Sequence, residues 1–499
     1  MRDEVGDDRE TAAAVLDPVH PSREDPVVAA ASALVGGPIG DHARRHPAWT
    51  VLRVALVIAA FTFGLGMFTK FPCAMGGAWF HGSREYAFGC SSGLQQSYFM
   101  QGLTELTPPL SSDGGRFDPQ SVSAPTAALG YVAALGTHAL EGWPDVDVRN
   151  NHPVDQQSSD ETLQRESVMF VAVCAFLLMM ALLAAVACLV GTHRSRPWDA
   201  LGLAASPLLL FNGITGSDGL ASVVSGWDLV AVAFTAGGMW AWSRQRELLA
   251  GALIGAGVAV GFWPIVVLLA WALLGGRARR MGQVGLAAGM VLVVWMVIDF
   301  PAYVGAGSGW LNWFTDKLSA GAGAGSIWAL LGDAGLGPDP TTVNRASLGG
   351  WLLVLVAVGA LTWTAHRRPR VPQVALLLLL GGLILARSYE PWYALWLLPL
   401  AALARPSWRD LLIWQAAELF YGLTLWWQLD GYTVHAGATD WVTVIGILVR
   451  LAGEIYLAVL VIRDVTAPWH DPVRRDGLTD DPAGGVLDQA DEVGGRRFT

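Results

Sequence analysis

Several charged side chains fall inside stretches that are otherwise apolar, and each needs a physical reason to be there. Asp228 (in Gly226-Trp227-Asp228-Leu229), Asp299 (in Asp299-Phe300-Pro301) and the pair Arg387 and Glu390 around Ser388-Tyr389 interrupt such runs. Arg450 and Glu454 lie one helical turn apart, and Gln415 and Glu418 share a helix face. A charge at mid-bilayer costs roughly 2.5–3.5 kcal/mol on insertion scales, so such residues pair with one another or line a polar cavity. For Arg450 and Glu454, a bridge between helices and a ligand-binding role both remain open. Arg387, with Tyr389 beside it at a turn, carries the planar fork that grips phosphate oxygens in pairs. Asp228 and Asp299 either cap helices where these meet water or face the same cavity. The pattern predicts a polar cavity at one end of the helices and names no substrate.

The elements that would hold these residues are membrane helices. The chain has 499 residues, 53% hydrophobic and 15% charged, with a mean hydropathy of +0.42. Its apolar residues gather into runs such as Ser167–Val190, Leu248–Leu274 and Val284–Ile298. A bilayer demands about 20 apolar residues per crossing, whereas soluble cores seldom need unbroken runs of this kind. Basic clusters recur at Arg44-Arg45, His193–Arg196, Arg244–Arg246, Arg277–Arg280, His366–Arg370, Arg405–Arg409, and Arg463 with Arg474-Arg475. Placing every one in the cytoplasm gives spans near 50–70, 167–190, 198–213, 222–242, 248–260, 262–275, 283–303, 348–365, 373–388, 391–404, 409–428 and 441–463. The fold class is therefore an all-α polytopic membrane protein of about twelve spans. Leu248–Leu274 has basic residues at both ends, which a single crossing cannot satisfy. A helical hairpin turning at Gly261-Phe262-Trp263-Pro264 does satisfy it, since Pro suits the start of the returning helix.

This topology divides the chain into a cytoplasmic tail (1–48), a membrane domain (49–465) and a second cytoplasmic tail (466–499). Both tails are polar and read as disordered. The protein would sit in the plasma membrane among lipids with both termini inside. Two large segments lie outside. Residues 71–166 are mostly polar, with the apolar stretch Pro125–Leu140 read as a helix lying in the interface. Residues 304–347 are Gly-rich and carry Trp310, Trp313 and Trp328, which suit an aromatic belt. The net charge of −10 is spread over tails and loop, and no basic stripe marks a nucleic-acid partner. Cys73 and Cys90 both fall in the first outer segment, where an oxidising compartment permits a bridge worth on the order of 3 kcal/mol. Cys174 and Cys188 lie roughly 21 Å apart along one helix and cannot bond. No Cys/His pattern has zinc spacing, and no cofactor is expected, with the need for a divalent metal left open.

The order of features, one span, a long outer segment, then many spans with short inner loops, resembles the GT-C class of membrane glycosyltransferases. More narrowly, the chain resembles the actinobacterial integral membrane proteins of glycosyltransferase family 87. The stretches that carry the resemblance are Arg84–Cys90 with Ser91-Ser92, Ala205-Ser206-Pro207, Gly226–Val230, GSIWAL at Gly325–Leu330 and YEPWYALWLLPL at Tyr389–Leu400. RPSWRDLLIWQAAE at Arg405–Glu418, Arg463-Asp464 and DPAGGVLDQ at Asp481–Gln489 complete it. The resemblance implies a GT-C-like bundle with a large first extracellular loop. It implies a polyprenyl-phosphate sugar as donor and a cell-envelope glycan or glycolipid as acceptor. Arg84, Arg387, Tyr389, Glu390 and Arg450 become candidates for binding the donor phosphate and substrate. A carboxylate would deprotonate the acceptor, and Asp118 and Asp228 are the candidates, with Glu105 and Asp113 as alternatives. At three positions where the family pattern carries polar residues, this chain has Gly93, Ser123 and Gly261. That substitution leaves a second expectation open, a catalytically silent relative that binds a lipid carrier as an assembly scaffold.

Overall fold

The structure, a computed structural model, describes residues 49–74, 93–110, 117, 122–150, 153–157, 160–212, 227–429, 440–474 and 481–488, with Val27 and Ala30 as isolated positions. Among the described residues all regular structure is helical. The principal helices are α1 (Val51–Ala74), α2 (Ala124–Glu141), α3 (Glu161–Thr192), α4 (Asp228–Ser243), α5 (Glu247–Val260), α6 (Ile265–Arg277) and α7 (Met281–Ala306). The chain continues through α8 (Ser308–Ser319), α9 (Pro340–Thr364), α10 (Val371–Ile384), α11 (Ala394–Ala404), α12 (Trp408–Leu429) and α13 (Trp441–Thr466). Aspartates start several of them by accepting first-turn amides: Asp160 from Thr162 and Leu163, Asp339 from Thr341 and Thr342, and Asp440 from Val442.

Five of these helices, α1, α3, α7, α9 and α13, are long and apolar enough to cross a membrane. The chain thus has the build of a helical membrane protein. Its outer surface agrees, since α7 and α9 turn Val297, Phe300, Leu353 and Val356 outward, each more than 60% exposed. The shorter helices α5, α6, α10 and α11 would reach only roughly 17–21 Å. They sit inside the bundle, where α10 and α11 are buried along almost their whole length. Neighbouring helices surround α10 and α11 there, which removes the length requirement for these two. Close approach uses glycine: the positions for a Cβ at Gly251 and Gly255 of α5 fall on the backbone of α7 at Ala287 and Val291.

Three sequence expectations bear comparison with the structure. The span expected at 198–213 is broken into a turn at Pro197–Ala200 and short helices at Leu201–Ala204 and Leu208–Asn212. Pro207 lacks an N–H and interrupts the ladder, and the Ser206 hydroxyl accepts the Leu208 N–H there at 3.2 Å. The stretch expected as an interfacial helix is α2, which buries Ala127, Gly130, Ala133 and Ala134 against the bundle and leaves Val132 and Leu140 exposed. The C-terminal tail is folded over its described residues. Val473, Ala483 and Leu487 are buried, because this tail closes one end of the bundle.

That closure is built on arginines. Arg370, fully buried before α10, donates to both Asp471 oxygens at 2.8 and 2.9 Å and to the Leu403 and Ala404 carbonyls at 2.8 and 2.6 Å. Asp481 accepts the Val371 N–H at 2.9 Å, and the Trp242 indole donates to the Gly484 carbonyl at 2.9 Å. Beside it, Arg405 pairs with Asp410 at 3.0 Å and with Asp464 at 2.6 Å. Burial alone would raise the Asp471 carboxyl, but the charge and hydrogen bonds of Arg370 outweigh it and hold the group below its ordinary value. A carboxyl held low in the fold contributes stability above its unfolded pKa of about 3.9, and loses it as pH falls through the folded value. Acidification below about pH 4 is therefore expected to loosen this closure. Asp471→Ala is expected to cost about 3–5 kcal/mol, because it strands a buried guanidinium. Thermal unfolding of the purified protein, followed by far-ultraviolet circular dichroism, checks both.

Candidate functional site

At the end of the bundle opposite the Arg370 closure lies a cavity of about 620 Å³. It is framed by the first residues of α4, α6 and α11, the last residues of α5 and α10, and parts of α8 and α9. Its polar part is lined by Ser123, Asp228, Arg387, Ser388 and Glu390. Its apolar part runs along one face of α10, Leu379, Gly382 and Leu383, against Trp351 of α9. That face extends roughly 6 Å along the helix axis at 1.5 Å per residue. The cavity is thus amphipathic along its length.

Asp228 is the first residue of α4, where unpaired backbone amides favour negative charge. It is buried, and its Oδ1 accepts a hydrogen bond from the Trp396 indole at 2.7 Å. Trp396 is held between Tyr393, with ring centroids 3.9 Å apart, and Trp263, 6.0 Å away and nearly parallel. Among the described residues, the buried Trp263 Nε1 has no hydrogen-bond partner. Gly261 leaves room beside this stack, since a Cβ there would meet only Trp263 at 3.7 Å. Ser123 precedes α2 and donates to the Val260 carbonyl at 2.8 Å, which ties α2 to the end of α5.

Arg387 and Glu390 reach the cavity from the turn between α10 and α11. That turn is pinned to the segment before the short helix Ile327–Asp333. The Gly323 N–H donates to the Arg387 carbonyl at 2.8 Å, and the Tyr389 N–H donates to the Ala324 carbonyl at 2.9 Å. Arg387 Nη1 donates to the Ala320 carbonyl at 3.0 Å. The tryptophans expected in an aromatic belt are half-buried: Trp313 lines the cavity, Trp310 donates to Asp299 at 3.0 Å, and Trp328 donates to the Leu385 carbonyl at 3.3 Å.

The structure therefore brings Asp228, Arg387 and Glu390 to one cavity, and places two other candidates elsewhere. Tyr389 and Arg450 do not line it. Both are fully buried between α12 and α13, where the Arg450 guanidinium lies 3.7 Å from the Tyr389 ring centroid and 3.6 Å from Glu454. The Tyr389 hydroxyl donates to Glu418 at 2.9 Å. Glu105 is buried in the folded first segment and accepts from Gln157 at 2.9 Å. Arg84, Cys90, Asp113 and Asp118 lie outside the described residues, and Cys73 is described only as backbone at the end of α1. Among the described residues, no group of three His, Cys, Asp or Glu side chains is placed to hold a metal ion. Sequence reading missed the Trp263, Tyr393 and Trp396 stack. Its signal was present in YEPWYALW, where Tyr393 and Trp396 stand three apart on one helical face next to the charged pair.

No protein-family model matches the chain, and no curated protein matches it by sequence. The reading of this site therefore rests on its own geometry.

Gly325 offers a direct check of how the turn is held. Its φ of +71° lies in the left-handed region, and a Cβ there would run into the Tyr421 hydroxyl and the Tyr389 carbonyl. Gly325→Ala is expected to cost about 1–3 kcal/mol through overpacking and backbone strain. The melting temperature of the purified variant measures it.

Proposed function

We propose that this chain is a polyprenyl-phosphate-sugar-dependent glycosyltransferase of the GT-C class, of mannosyl or arabinosyl type. It would act on a cell-envelope glycan or glycolipid at the outer face of the plasma membrane. The observation that carries the reading is the two-part cavity: carboxylates, an arginine and stacked aromatic rings at one end, and an apolar face of α10 leading from it. A donor made of a sugar, a phosphate and a long isoprenoid tail has the same two parts. The arginine clusters cap the other end of the helices, so the positive-inside rule puts the cavity outside and both termini inside. About twelve crossings follow if the short buried helices are counted as spans.

In this reading Arg387 takes the donor phosphate and the aromatic rings take the sugar. Asp228 accepts the proton of the acceptor hydroxyl, whose oxygen attacks the anomeric carbon. The bond from that carbon to the phosphate oxygen breaks, and its electron pair leaves with the phosphate beside the guanidinium. A single displacement of this kind inverts the anomeric configuration and forms no bond to the protein. Trp396 holds the Asp228 carboxylate in place. Asp118 is the other acid that sequence nominates.

One observation favours a second reading, a silent relative that binds a lipid carrier as a scaffold. Ser123 and Gly261, two of the positions where the family pattern is polar, both line this cavity. Purified protein assayed with polyprenyl-phosphate mannose and polyprenyl-phosphate arabinose separates the two. Turnover that falls by about 10²–10³ in Asp228→Asn and in Arg387→Ala, with unchanged melting temperature, is expected for the enzyme. Loss of turnover in Asp118→Asn with Asp228→Asn still active moves the base to Asp118. No transfer from either donor, with lipid binding retained, supports the scaffold.

A further inference from the structure

Arg450, Glu418 and Glu454 sit near the middle of α12 and α13, with 0%, 1% and 0% of their surfaces exposed. Charges there need a function or a partner, and the partners are incomplete. Among the described residues, Arg450 leaves its Nε and Nη1 without a hydrogen bond. Arg450 Nη1 and Glu454 stand one turn apart on α13 at 3.6 Å. What Arg450 does engage points toward the cavity. Its Nη2 donates to the Gly325 carbonyl at 3.1 Å, and its flat face covers Tyr389 at 3.7 Å and reaches Tyr421 at 5.4 Å. Tyr389 is pinned through its N–H to the Ala324 carbonyl, and Gly325 directly follows Ala324. The Tyr421 hydroxyl donates to the Tyr389 carbonyl at 2.8 Å, and the Tyr389 hydroxyl to Glu418 at 2.9 Å. On either side of Tyr389 in the chain, Arg387 and Glu390 turn into the cavity.

We infer that Arg450 is a positioning residue for the cavity, acting through Tyr389 and the Gly325 carbonyl to set where Arg387 and Glu390 stand. Glu418 and Glu454 compensate its charge, and Glu418 also fixes the Tyr389 ring through its hydroxyl. The role needs the flat guanidinium as well as the charge, because only a planar group covers the ring while reaching the carbonyl. The link to ligand binding rests on the functional reading above, whereas the link to the turn does not.

Hydrogen exchange of the full-length protein in nanodiscs separates the two. Backbone amides of Gly323 and Tyr389, both donors in the pinned turn, are followed in wild type, Arg450→Met, Arg450→Lys and Tyr389→Phe. The folded tail over 468–474 serves as the internal reference. Exchange at these two amides is expected to rise roughly tenfold or more in both Arg450 variants, with the reference unchanged. Tyr389→Phe is expected to show a smaller rise, and keeps the test decisive if Arg450→Met does not fold. Unchanged exchange at Gly323 and Tyr389 in a folded Arg450 variant would overturn the inference. So would full restoration by Arg450→Lys, which would reduce the role to charge alone. Undecaprenyl phosphate binding, read by tryptophan quenching, is expected to weaken several-fold in Arg450→Lys. Wild type that binds no undecaprenyl phosphate, with the exchange result as expected, counts against the functional reading and leaves the positioning role standing.

Discussion

A single guanidinium ties together parts of the chain that sequence keeps far apart. Arg370 joins the start of α10, the end of α11 and the C-terminal segment through bonds to Asp471, Leu403 and Ala404. It is fully buried, so each of those bonds replaces water it cannot reach. The importance lies in which helices it holds. α10 and α11 are too short to be fixed by the thickness of a bilayer, and they carry the cavity at their far ends. With one end fixed by Arg370 and the other by the Gly325–Tyr389 contact, the connecting turn has little freedom. The cavity is therefore held from both ends, by an ion pair at one and by aromatic and carbonyl contacts at the other.

Much of this was legible in the sequence, for a physical reason. Apolar runs and arginine clusters mark where helices begin and end, and the turn at Gly261-Phe262-Trp263-Pro264 does join α5 to α6. Asp228, Arg387 and Glu390 stood out because charges are costly in apolar runs, and the same three residues meet in the cavity. Arg450 stood out on the same ground but turns into the bundle, as does Tyr389, which was named as the neighbour of Arg387. Sequence shows that a buried charge needs a partner, and does not show whether that partner is a ligand or a neighbouring helix. The tail was illegible because its composition is polar. Its fold depends on Arg370 and on the open amides at the start of α10, both more than 90 residues away.

Two of the motifs that carry the resemblance have residues at the end away from the cavity. Arg405 and Asp410 of RPSWRD, with Asp464, form one ion-pair cluster, and Asp481 with Leu487 of DPAGGVLDQ closes the tail onto the bundle. Their chemistry is that of satisfying charges and helix ends. Such motifs specify how a bundle is assembled and say little about what it transforms. The proposed chemistry lies where Asp228, Arg387 and the Trp396 stack meet.

The most direct measurement is a structure of the protein bound to a non-hydrolysable polyprenyl-phosphate sugar analogue. The account predicts the phosphate beside Arg387, the sugar against Trp396 and Asp228, and the isoprenoid along Leu379 and Leu383 toward Trp351. An analogue seated on another surface with this cavity empty would contradict it.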